Sequence, residues 1–399
     1  MAPGRVVYIV DRFPGVYQTF VEGEIRELIR RGILVRIFVR ARGDLSGIPE
    51  DLRGVTATLP AGKRLLIRAS IRILVKHPVR TLGALVWSLR ALRRERGALH
   101  ALADAAFIAP DLQGLDHVHA QFAHGSASVA LALGRLTGRP FSFTAHAYDI
   151  LVAGEPRILA RKIAEARFTV AVSEFTRELM AGWARPEDYH KVVLVRNGID
   201  LDAFGQEAPR TLSRPPLVLS VCRLVEKKGV DTAVQASAVL AGRGVEHRWE
   251  VLGDGPVRAE LERLATELAV DDRFRFAGAQ TPAQVHARLE RATVFALPCR
   301  VAANGDHDVL PVAIIEAFAA GLPVVTTPIG GIPEVAVNER SALVIPPEDP
   351  NALADAIERL LGDESLRQRL IEGGRAVAAG YDKASSAARL IELFTNGPR

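Results

Sequence analysis

The stretch RVVYIVDRFPGVYQTFVEGEIRELIRRGILVRIFV, residues 5–39, decides the fold. An apolar run (5–10) is followed by a loop, by a segment with apolar residues every three or four positions, and by a second apolar run (33–39). Gly32 stands where a helix C-terminus favours a residue that tolerates a positive φ. The order strand, helix, strand predicts a βαβ unit with two parallel strands.

The same alternation continues along the chain. In the first half, strand-like segments lie at 117–122, 141–146 and 168–172. A second series follows the turn-rich stretch 205–216, with strand-like segments LVLSV, RWEVLG, RFRFAG, TVFALP, PVVTT and ALVIP separated by helical segments. Thr281, Pro282 and Gln284 predict one capped helix start, and Thr19 with Glu22 predict another. The pattern predicts an α/β protein with parallel sheets covered by helices on both faces.

The length predicts two or three domains, since 399 residues are divided by roughly 150 residues per domain. Hydrophobic content of 48% with 24% charged residues is typical of a globular protein. We interpret 205–216 as the linker, with an N-terminal domain at 1–205 and a C-terminal domain at 206–380. Residues 381–399 are expected to form a helix that packs back on the first domain. Ligands of such sheets bind where strand carboxyl ends converge, which predicts a site in the cleft between the domains.

Several classes of protein are not indicated. No run of 18 apolar residues occurs, and the first apolar run is too short for a signal peptide, so we expect an intracellular protein. Cys222 and Cys299 lack the spacing of a zinc site or a disulfide framework, and we expect two buried thiols.

Positive charge is concentrated in the first half of the chain. Residues 1–210 hold 30 Lys+Arg and 21 Asp+Glu, a balance of +9, whereas the remainder holds 21 and 25, a balance of −4. Residues 63–96 carry ten basic residues and one acid, Glu95, and Arg64, Arg68, Arg72 and Lys76 recur every four positions. This helix could lie on an anionic membrane surface, present a solvated face over an ordinary core helix, or bind an acidic partner. Nucleic acid is not expected, because aromatic interleaving and known motifs are lacking.

Chemistry is indicated most clearly by GDHDVLPVAIIEAFAAGLPVV, residues 305–325. Pro311 suits the first turn of a helix, and residues 312–320 are all apolar except Glu316. A lone carboxylate in such a helix is unfavourable unless it is hydrogen-bonded or paired. Its partner is therefore either a ligand diol or a protein group such as a backbone amide or Arg300.

Arg223 and Lys228 in SVCRLVEKKGVD lie between a strand and a helix N-terminus, where cations and backbone amides bind phosphate. Taken alone, they are either phosphate ligands or ordinary loop cations. The turns VLGDGP (251–256) and PIGGIPE (328–334) also follow strands. Gly253 and Gly255 do not form a dinucleotide fingerprint, because Arg258 occupies the place of the third glycine.

These motifs together resemble the retaining glycosyltransferases of family 4. The family's Glu-x7-Glu signature is matched by Asp308-x7-Glu316 followed by AFAAGLPVV, and its phosphate pair by Arg223-x4-Lys228-Gly229. VLVRNGIDLDAF (193–204) resembles its interdomain segment. Asp308 replaces the family's first Glu. That acid, with FPGVYQTFVEGEI and the histidine segments of 117–150, resembles the branch that builds exopolysaccharides and colanic acid.

The resemblance implies the GT-B fold, with two doubly wound Rossmann-like domains facing across a cleft. It also implies roles for five side chains. Glu316 would accept hydrogen bonds from the ribose of a sugar nucleotide, and Asp308 would contact the transferred sugar. Arg223 and Lys228 would hold the diphosphate, and His146 would lie across the cleft near the reacting carbon.

Further positions follow from the same resemblance. The ribose and base would be framed by Gly253, Asp254, Gly255, Phe276, Leu310 and Pro311. The acceptor side would include Gly15, Tyr17, His119 and His124, although His119 and His124 could equally be packing residues. No metal or cofactor is implied, because GT-B enzymes use cationic side chains, and we do not interpret DHD (306–308) as a metal motif.

The implied function is transfer of a hexose, with retention, from a UDP- or GDP-linked donor to a glycan acceptor, with a lipid-linked one favoured, in exopolysaccharide or cell-surface polysaccharide synthesis. The expected location is cytoplasmic, with peripheral association at the inner face of the cytoplasmic membrane. Two alternatives stay open, a catalytically silent nucleotide-sugar-binding or scaffold protein and a GT-B epimerase or phosphorylase.

Overall fold

The computed structural model describes residues 4–14, 19–41, 48–60, 63–76, 78–91, 97–112, 114–204 and 213–398. The chain divides into two compact units, one formed by Met1–Arg196 with Ala384–Arg399 and the other by Asn197–Lys383. The first boundary therefore differs from the expected 205/206, because Ile199 belongs to the second core and forms a bridge to Asp382. Residues 205–212 of the expected linker lie outside the described residues.

The first unit is built on a seven-stranded parallel sheet. Its strands are β1 (Arg5–Val10), β2 (Leu34–Val39), β3 (Thr56–Thr58), β4 (His117–Gln121), β5 (Phe141–Ala145), β6 (Phe168–Ala171) and β7 (Val192–Leu194). They lie in the order β3-β2-β1-β4-β5-β6-β7, and every pair is parallel. The sequence did not indicate β3 and β7, which have three residues each. β4 and β5 are buried along their whole length, as in sheets that helices cover on both faces.

The helices of this unit are α1 (Thr19–Arg30), α2 (Glu50–Arg53), α3 (Lys63–Lys76), α4 (Pro78–Ala91), α5 (Ala98–Ile108), α6 (Gly125–Thr137), α7 (Tyr148–Leu151), α8 (Pro156–Glu165) and α9 (Glu174–Trp183). α3 ends just before Pro78, where the sequence indicated an interruption. α1 starts at Thr19, next to residues outside the described ranges, and Glu22 pairs with Arg26 at 2.9 Å, so the capping box of Thr19 and Glu22 stays a prediction.

The second unit holds a six-stranded parallel sheet in the order β10-β9-β8-β11-β12-β13. The strands are β8 (Leu217–Val221), β9 (Arg248–Leu252), β10 (Phe274–Gly278), β11 (Val294–Leu297), β12 (Val324–Thr326) and β13 (Leu343–Val344). The helices are α10 (Val230–Gly242), α11 (Arg258–Glu267), α12 (Pro282–Arg291), α13 (Val312–Ala319), α14 (Pro350–Gly362) and α15 (Glu364–Ala378). The capping box of Thr281 and Gln284 at α12 is confirmed.

The last helix, α16 (Lys383–Asn396), belongs mainly to the first unit. Leu390 and Leu393 are fully buried in its core, which also contains Phe168. Arg167 donates a hydrogen bond from Nη2 to the Thr395 carbonyl oxygen at 2.9 Å. Apolar burial and a helix-end hydrogen bond thus attach the C-terminus to the first sheet. No helix among the described residues is long and apolar enough to cross a membrane.

Candidate active site

The chemistry-bearing side chains of the second unit lie near the switch point of its sheet. β8 stands between β9 and β11, so the loops that follow β8 and β11 leave the sheet at neighbouring carboxyl ends, where open parallel sheets bind ligands. Arg300 N donates to Lys227 O at 2.9 Å, Arg300 Nε to Glu226 O at 3.2 Å, and Ala303 N to Glu226 Oε1 at 3.0 Å. Direct hydrogen bonds therefore hold the two loops together.

Lys228 and Asp308 form an ion pair across these loops, with Nζ and Oδ2 2.7 Å apart. Asp308 also accepts from Cys299 Sγ at 3.4 Å, and Lys227 Nζ lies 3.7 Å from its other oxygen. Burial disfavours the charge of Asp308, but the two lysines outweigh it and lower the pKa of its carboxyl. Burial likewise opposes the charge of Lys228, but Asp308 raises the pKa of that ammonium. Both groups are therefore charged at neutral pH.

Glu316 has no such partner. It is half-buried on α13, and its carboxylate makes no hydrogen bond or ion pair to the part of the chain that the structure describes. Burial raises its pKa to about 7. The alternative that Arg300 pairs with it is wrong, because Arg300 Nη1 lies 2.7 Å from Asp231 and 3.4 Å from Glu348. The helix thus presents an unsatisfied acceptor, as a ligand diol would require.

Arg223 follows β8 and is exposed. Its guanidinium makes no ion pair with any residue in the described ranges. The loop that leads to α10 therefore carries two cations, Arg223, which is exposed, and Lys228, which is paired with Asp308. The N-terminus of that helix adds partial positive charge at the same edge of the sheet.

The turn after β9 approaches the β8 loop too closely for side chains. Gly253 has φ 143°, and a Cβ there would lie 1.7 Å from Cys222 O, while a Cβ on Gly255 would lie 2.1 Å from Leu224 O. Leu224 N donates to Asp254 O at 3.0 Å, which fixes the turn against that loop. Glycine is thus required at positions 253 and 255 because the turn after β9 packs closely against the loop after β8. These are two of the residues that are expected to frame the nucleotide.

The remaining expected donor-site residues lie on neighbouring elements of the same unit. Phe276, on β10, is half-buried, and its carbonyl oxygen accepts from Arg258 Nη2 at 3.2 Å. Leu310 is half-buried, and Pro311 directly precedes α13. The side chain that replaces the third fingerprint glycine, Arg258, therefore connects the turn after β9 to β10.

His146 belongs to the first unit and directly follows β5. It is 8% exposed, and its ring packs between Phe20 and Phe122 with centroid separations of 4.9 and 4.6 Å. Burial lowers its pKa to about 3, so the ring is neutral at physiological pH. The fully buried Asp149 accepts hydrogen bonds from the backbone N–H groups of His146 and Ala123, which ties the ends of β5 and β4 together.

The expected acceptor-side residues differ in accessibility. His119 is fully buried, and its ring nitrogens bond Ser142 and Thr144 at 2.7 and 3.0 Å, which favours the packing role. The side chain of His124 is 40% exposed, and its Nε2 lies 3.4 Å from Asp11. Gly15 and Tyr17 lie outside the described residues.

Sequence reasoning missed several polar partners. Lys227 and Cys299 contact Asp308, and only the pairing of β8 with β11 brings their loops together. Glu24 and Gln121 form a hydrogen-bonded chain to His146, with Glu24 half-buried and Gln121 buried. Both lie inside segments that carried the resemblance, but spacing alone does not indicate which side chains meet. Cys222 and Cys299 are buried free thiols, as expected.

Two family models match the chain. The Glycosyltransferase Family 4 model covers residues 18–203, and the model Glycosyl transferases group 1 covers residues 206–377. The chain belongs to glycosyltransferase family 4.

Curated relatives of this family 4 chain include exopolysaccharide enzymes. The amylovoran biosynthesis glycosyltransferase AmsK of Erwinia amylovora is 26% identical over 98% of the chain and 99% of its own length. Proteins named as colanic acid biosynthesis glycosyltransferase WcaL, from Escherichia coli and Salmonella typhimurium, are 36% and 31% identical over 42% and 51% of the chain. The chain spans 41% and 51% of the length of these two relatives.

Solved structures confirm the fold. Anabaena HepE, in complex with UDP and glucose, superposes with a TM-score of 0.73 at 16% identity, covering 98% of this chain and 99% of that one. A glycosyltransferase from Rickettsia africae gives a TM-score of 0.73 at 15% identity over 99% and 98%. The family 4 chain therefore has the GT-B architecture of two Rossmann-like domains.

Proposed function

We propose that the chain is a retaining glycosyltransferase that moves a hexose from a nucleotide sugar to a lipid-linked glycan in the synthesis of a cell-surface polysaccharide. The observation that carries the proposal is Glu316, which is half-buried and has no protein partner within the described ranges. A ribose diol supplies the two hydrogen-bond donors that a carboxylate accepts. The names of the amylovoran and colanic acid relatives support the polysaccharide product.

The diphosphate of the donor would bind the cations that follow β8. Arg223 is unpaired within the described part and can form two hydrogen bonds to phosphate oxygens, whereas Lys228 is already oriented by Asp308 at 2.7 Å. When the nucleoside diphosphate leaves, negative charge develops on its β-phosphate. Preorganised cations and the α10 N-terminus stabilise charge at that place, which we propose they do without a divalent ion.

Asp308 would both orient Lys228 and contact the transferred sugar. Its Oδ2 is occupied by Lys228 and Cys299, and Lys227 stands 3.7 Å from Oδ1, so Oδ1 is the oxygen open to a sugar hydroxyl. The sugar would pass through an oxocarbenium-like state, as in glycoside hydrolysis. Attack on the face that the diphosphate leaves would retain the configuration without an enzyme nucleophile.

The donor base is expected to be uracil or guanine. A relative from Mycobacterium tuberculosis, 31% identical over 60% of this chain and 64% of its own length, is named as a GDP-mannose-dependent mannosyltransferase. The Anabaena structure holds UDP and glucose. His146 lies in the first unit and the donor residues in the second, so its contact with the sugar stays a prediction.

The membrane-facing surface would be formed by α3 and α4. Ten aliphatic side chains between Leu65 and Leu89 are at least 37% exposed, and Arg68 and Arg72 are exposed beside them. Residues 63–91 include no acid. A cavity of about 550 Å³ opens among α3, α4 and α5 and is lined mainly by aliphatic residues. This combination fits an anionic bilayer, while its positive charge disfavours pairing with a second copy of the chain.

The donor site is tested by thermal shift with UDP, GDP, ADP and their hexose conjugates, without added metal, on the wild type and Glu316→Ala. A ligand at about 100 times its Kd adds roughly 2.7 kcal/mol to the state that binds it. We expect nucleotides of one base to raise the Tm of the wild type. Glu316→Ala should not show this rise. Binding without turnover over many acceptors would favour the silent binding or scaffold protein, and no shift with any nucleotide would refute the donor site.

A further inference from the structure

A chain of four polar groups, three of them buried and one (Glu24) half-buried, crosses the first unit from β1 to the end of β5. The Tyr8 hydroxyl donates to Glu24 Oε1 at 2.8 Å, and Gln121 Nε2 donates to the same oxygen at 2.7 Å. Gln121 Oε1 in turn lies 3.0 Å from His146 Nε2. Tyr8 is fully buried and Gln121 is 1% exposed, whereas Glu24 is half-buried.

We propose that Glu24 is a positioning residue that, through Gln121, fixes His146 as the tautomer protonated on Nε2 and leaves Nδ1 as a hydrogen-bond acceptor. Only the role of Nδ1 in the transfer reaction rests on the proposed function. The tautomer itself is a property of the free protein.

The donors and acceptors allow one arrangement when Glu24 is ionised. A carboxylate only accepts hydrogen bonds, so the amide of Gln121 must turn its NH₂ group toward Glu24 and its carbonyl oxygen toward His146. That oxygen accepts as well, so Nε2 of His146 must carry the proton. A neutral imidazole has one N–H, and Nδ1 is therefore the acceptor.

Glu24 is the group in this cluster that changes charge near neutral pH. Burial raises its pKa to about 7, although the hydrogen bonds from Tyr8 and Gln121 oppose the rise. The titratable groups nearby on these strands and at their ends include Tyr8, His117, His119, His146 and Asp149, and the Asp149 carboxylate accepts from the His146 backbone N–H at 2.9 Å. Burial raises the pKa of Tyr8 well above its ordinary value and lowers the pKa of His119 and His146 to about 3.

The geometry allows His146 to accept a hydrogen bond through Nδ1 in the proposed reaction. Two phenylalanine rings hold the imidazole in place, and Nδ1 makes no hydrogen bond within the described part of the chain. A neutral ring with a fixed acceptor can take a hydrogen bond from a sugar hydroxyl. The opposite tautomer would present a donor at the same place, and a hydroxyl would have to turn to accept from it.

The experiment is ¹⁵N NMR of histidine-labelled free protein at pH 8, with the His146 signals assigned by their loss in His146→Asn. We expect the Nε2–H tautomer in the wild type and in Glu24→Gln, whose carbonyl oxygen still accepts from Gln121. Glu24→Leu and Gln121→Leu should give a mixture. Tyr8→Phe is the matched control, since it removes one bond to Glu24 but leaves the bridge to His146 intact.

A pH titration gives a second readout that does not depend on the leucine variants. The Nε2–H fraction should stay constant as the pH drops through about 7 in both the wild type and Glu24→Gln, because neutral Glu24 keeps a carbonyl oxygen that accepts from Gln121, as the glutamine amide does. A wild type protonated on Nδ1, or the same tautomer in the wild type and in both leucine variants, would overturn the proposal.

Kinetics distinguish positioning from a purely structural role. Glu24→Leu should lower kcat by about fivefold to tenfold, the loss that one hydrogen bond implies, with KM for the donor within about twofold of the wild type. Glu24→Gln should restore kcat. An equal loss in both variants would count against the tautomer. If no acceptor supports transfer, the proposed function fails, but the NMR result still decides the tautomer.

Discussion

Replacing Glu316 by glutamine should stabilise the ligand-free protein and weaken its binding of the donor. In the unfolded chain this carboxyl ionises near 4.5, whereas burial raises the folded-state pKa to about 7. The folded state therefore binds more protons between these pH values, and the free energy of unfolding falls as the pH rises from 4.5 to 7. Below 4.5 the carboxyl is neutral in both states and imposes no penalty.

The magnitude follows from the same pKa values. At about 1.4 kcal/mol per pKa unit, the rise from 4.5 to about 7 corresponds to roughly 3 kcal/mol of unfavourable charging above pH 7. Glu316 is half-buried, and solvent screens part of this, so we expect Glu316→Gln to gain about 1–2 kcal/mol at pH 8. For a unit of this size the gain corresponds to a Tm increase of about 2–8 °C.

The assay is scanning calorimetry at pH 4 and pH 8, with and without the nucleotide that stabilises the wild type. Glu260→Gln is the matched control, because Glu260 is an exposed carboxylate of the same unit and should change the stability by less than about 0.5 kcal/mol. With saturating nucleotide, the wild type should become more stable than Glu316→Gln. The variant loses hydrogen bonds to a charged group, which weakens its nucleotide binding roughly tenfold to a hundredfold.

Three results would refute parts of this reasoning. An equal gain at pH 4 would show that packing rather than charge is responsible, and no gain at pH 8 would show that the carboxylate is satisfied. A nucleotide shift that survives in Glu316→Gln would remove Glu316 from the ribose contact.

Two further predictions concern the charged and apolar surfaces. Arg223→Ala should weaken nucleoside diphosphate binding about tenfold, because it removes a hydrogen bond between charged groups. Fluorescence titration should also show that the affinity of the variant depends less on salt. Unchanged affinity would exclude a phosphate contact. Val79→Asp with Leu82→Asp should abolish co-sedimentation with anionic vesicles, whereas Val337→Asp, a substitution at an exposed site of the second unit, should not. Equal vesicle binding by all variants would refute the membrane surface.

The sequence predicted the strands of the second unit well, including the short β12 and β13. The six strands of the second sheet were indicated by short apolar runs between turn signals, because a strand covered on both faces must be apolar along its length. β3 and β7, with three residues each, were not indicated. The compact units divide at 196/197 rather than at the expected 205/206, because the Ile199–Asp382 bridge joins segments far apart in the chain.

For the candidate site, the apolar helix around Glu316 indicated that carboxylate, and the place between a strand and a helix indicated Arg223 and Lys228. Asp308 was indicated by the resemblance to the family signature. The sequence left open whether Glu316 has a protein partner. The tertiary structure answered this by giving Arg300 to Asp231 and leaving the carboxylate unsatisfied within the described residues.

The sequence by itself thus determined the element types, the two-unit α/β architecture and the family, because these depend on periodicity and on motifs that are contiguous in the chain. Only the tertiary structure decided which polar groups meet. The Lys228–Asp308 pair and the chain from Tyr8 through Glu24 and Gln121 to His146 join residues from separate elements. Their protonation states depend on burial and on partners, which exist only once the sheets have formed.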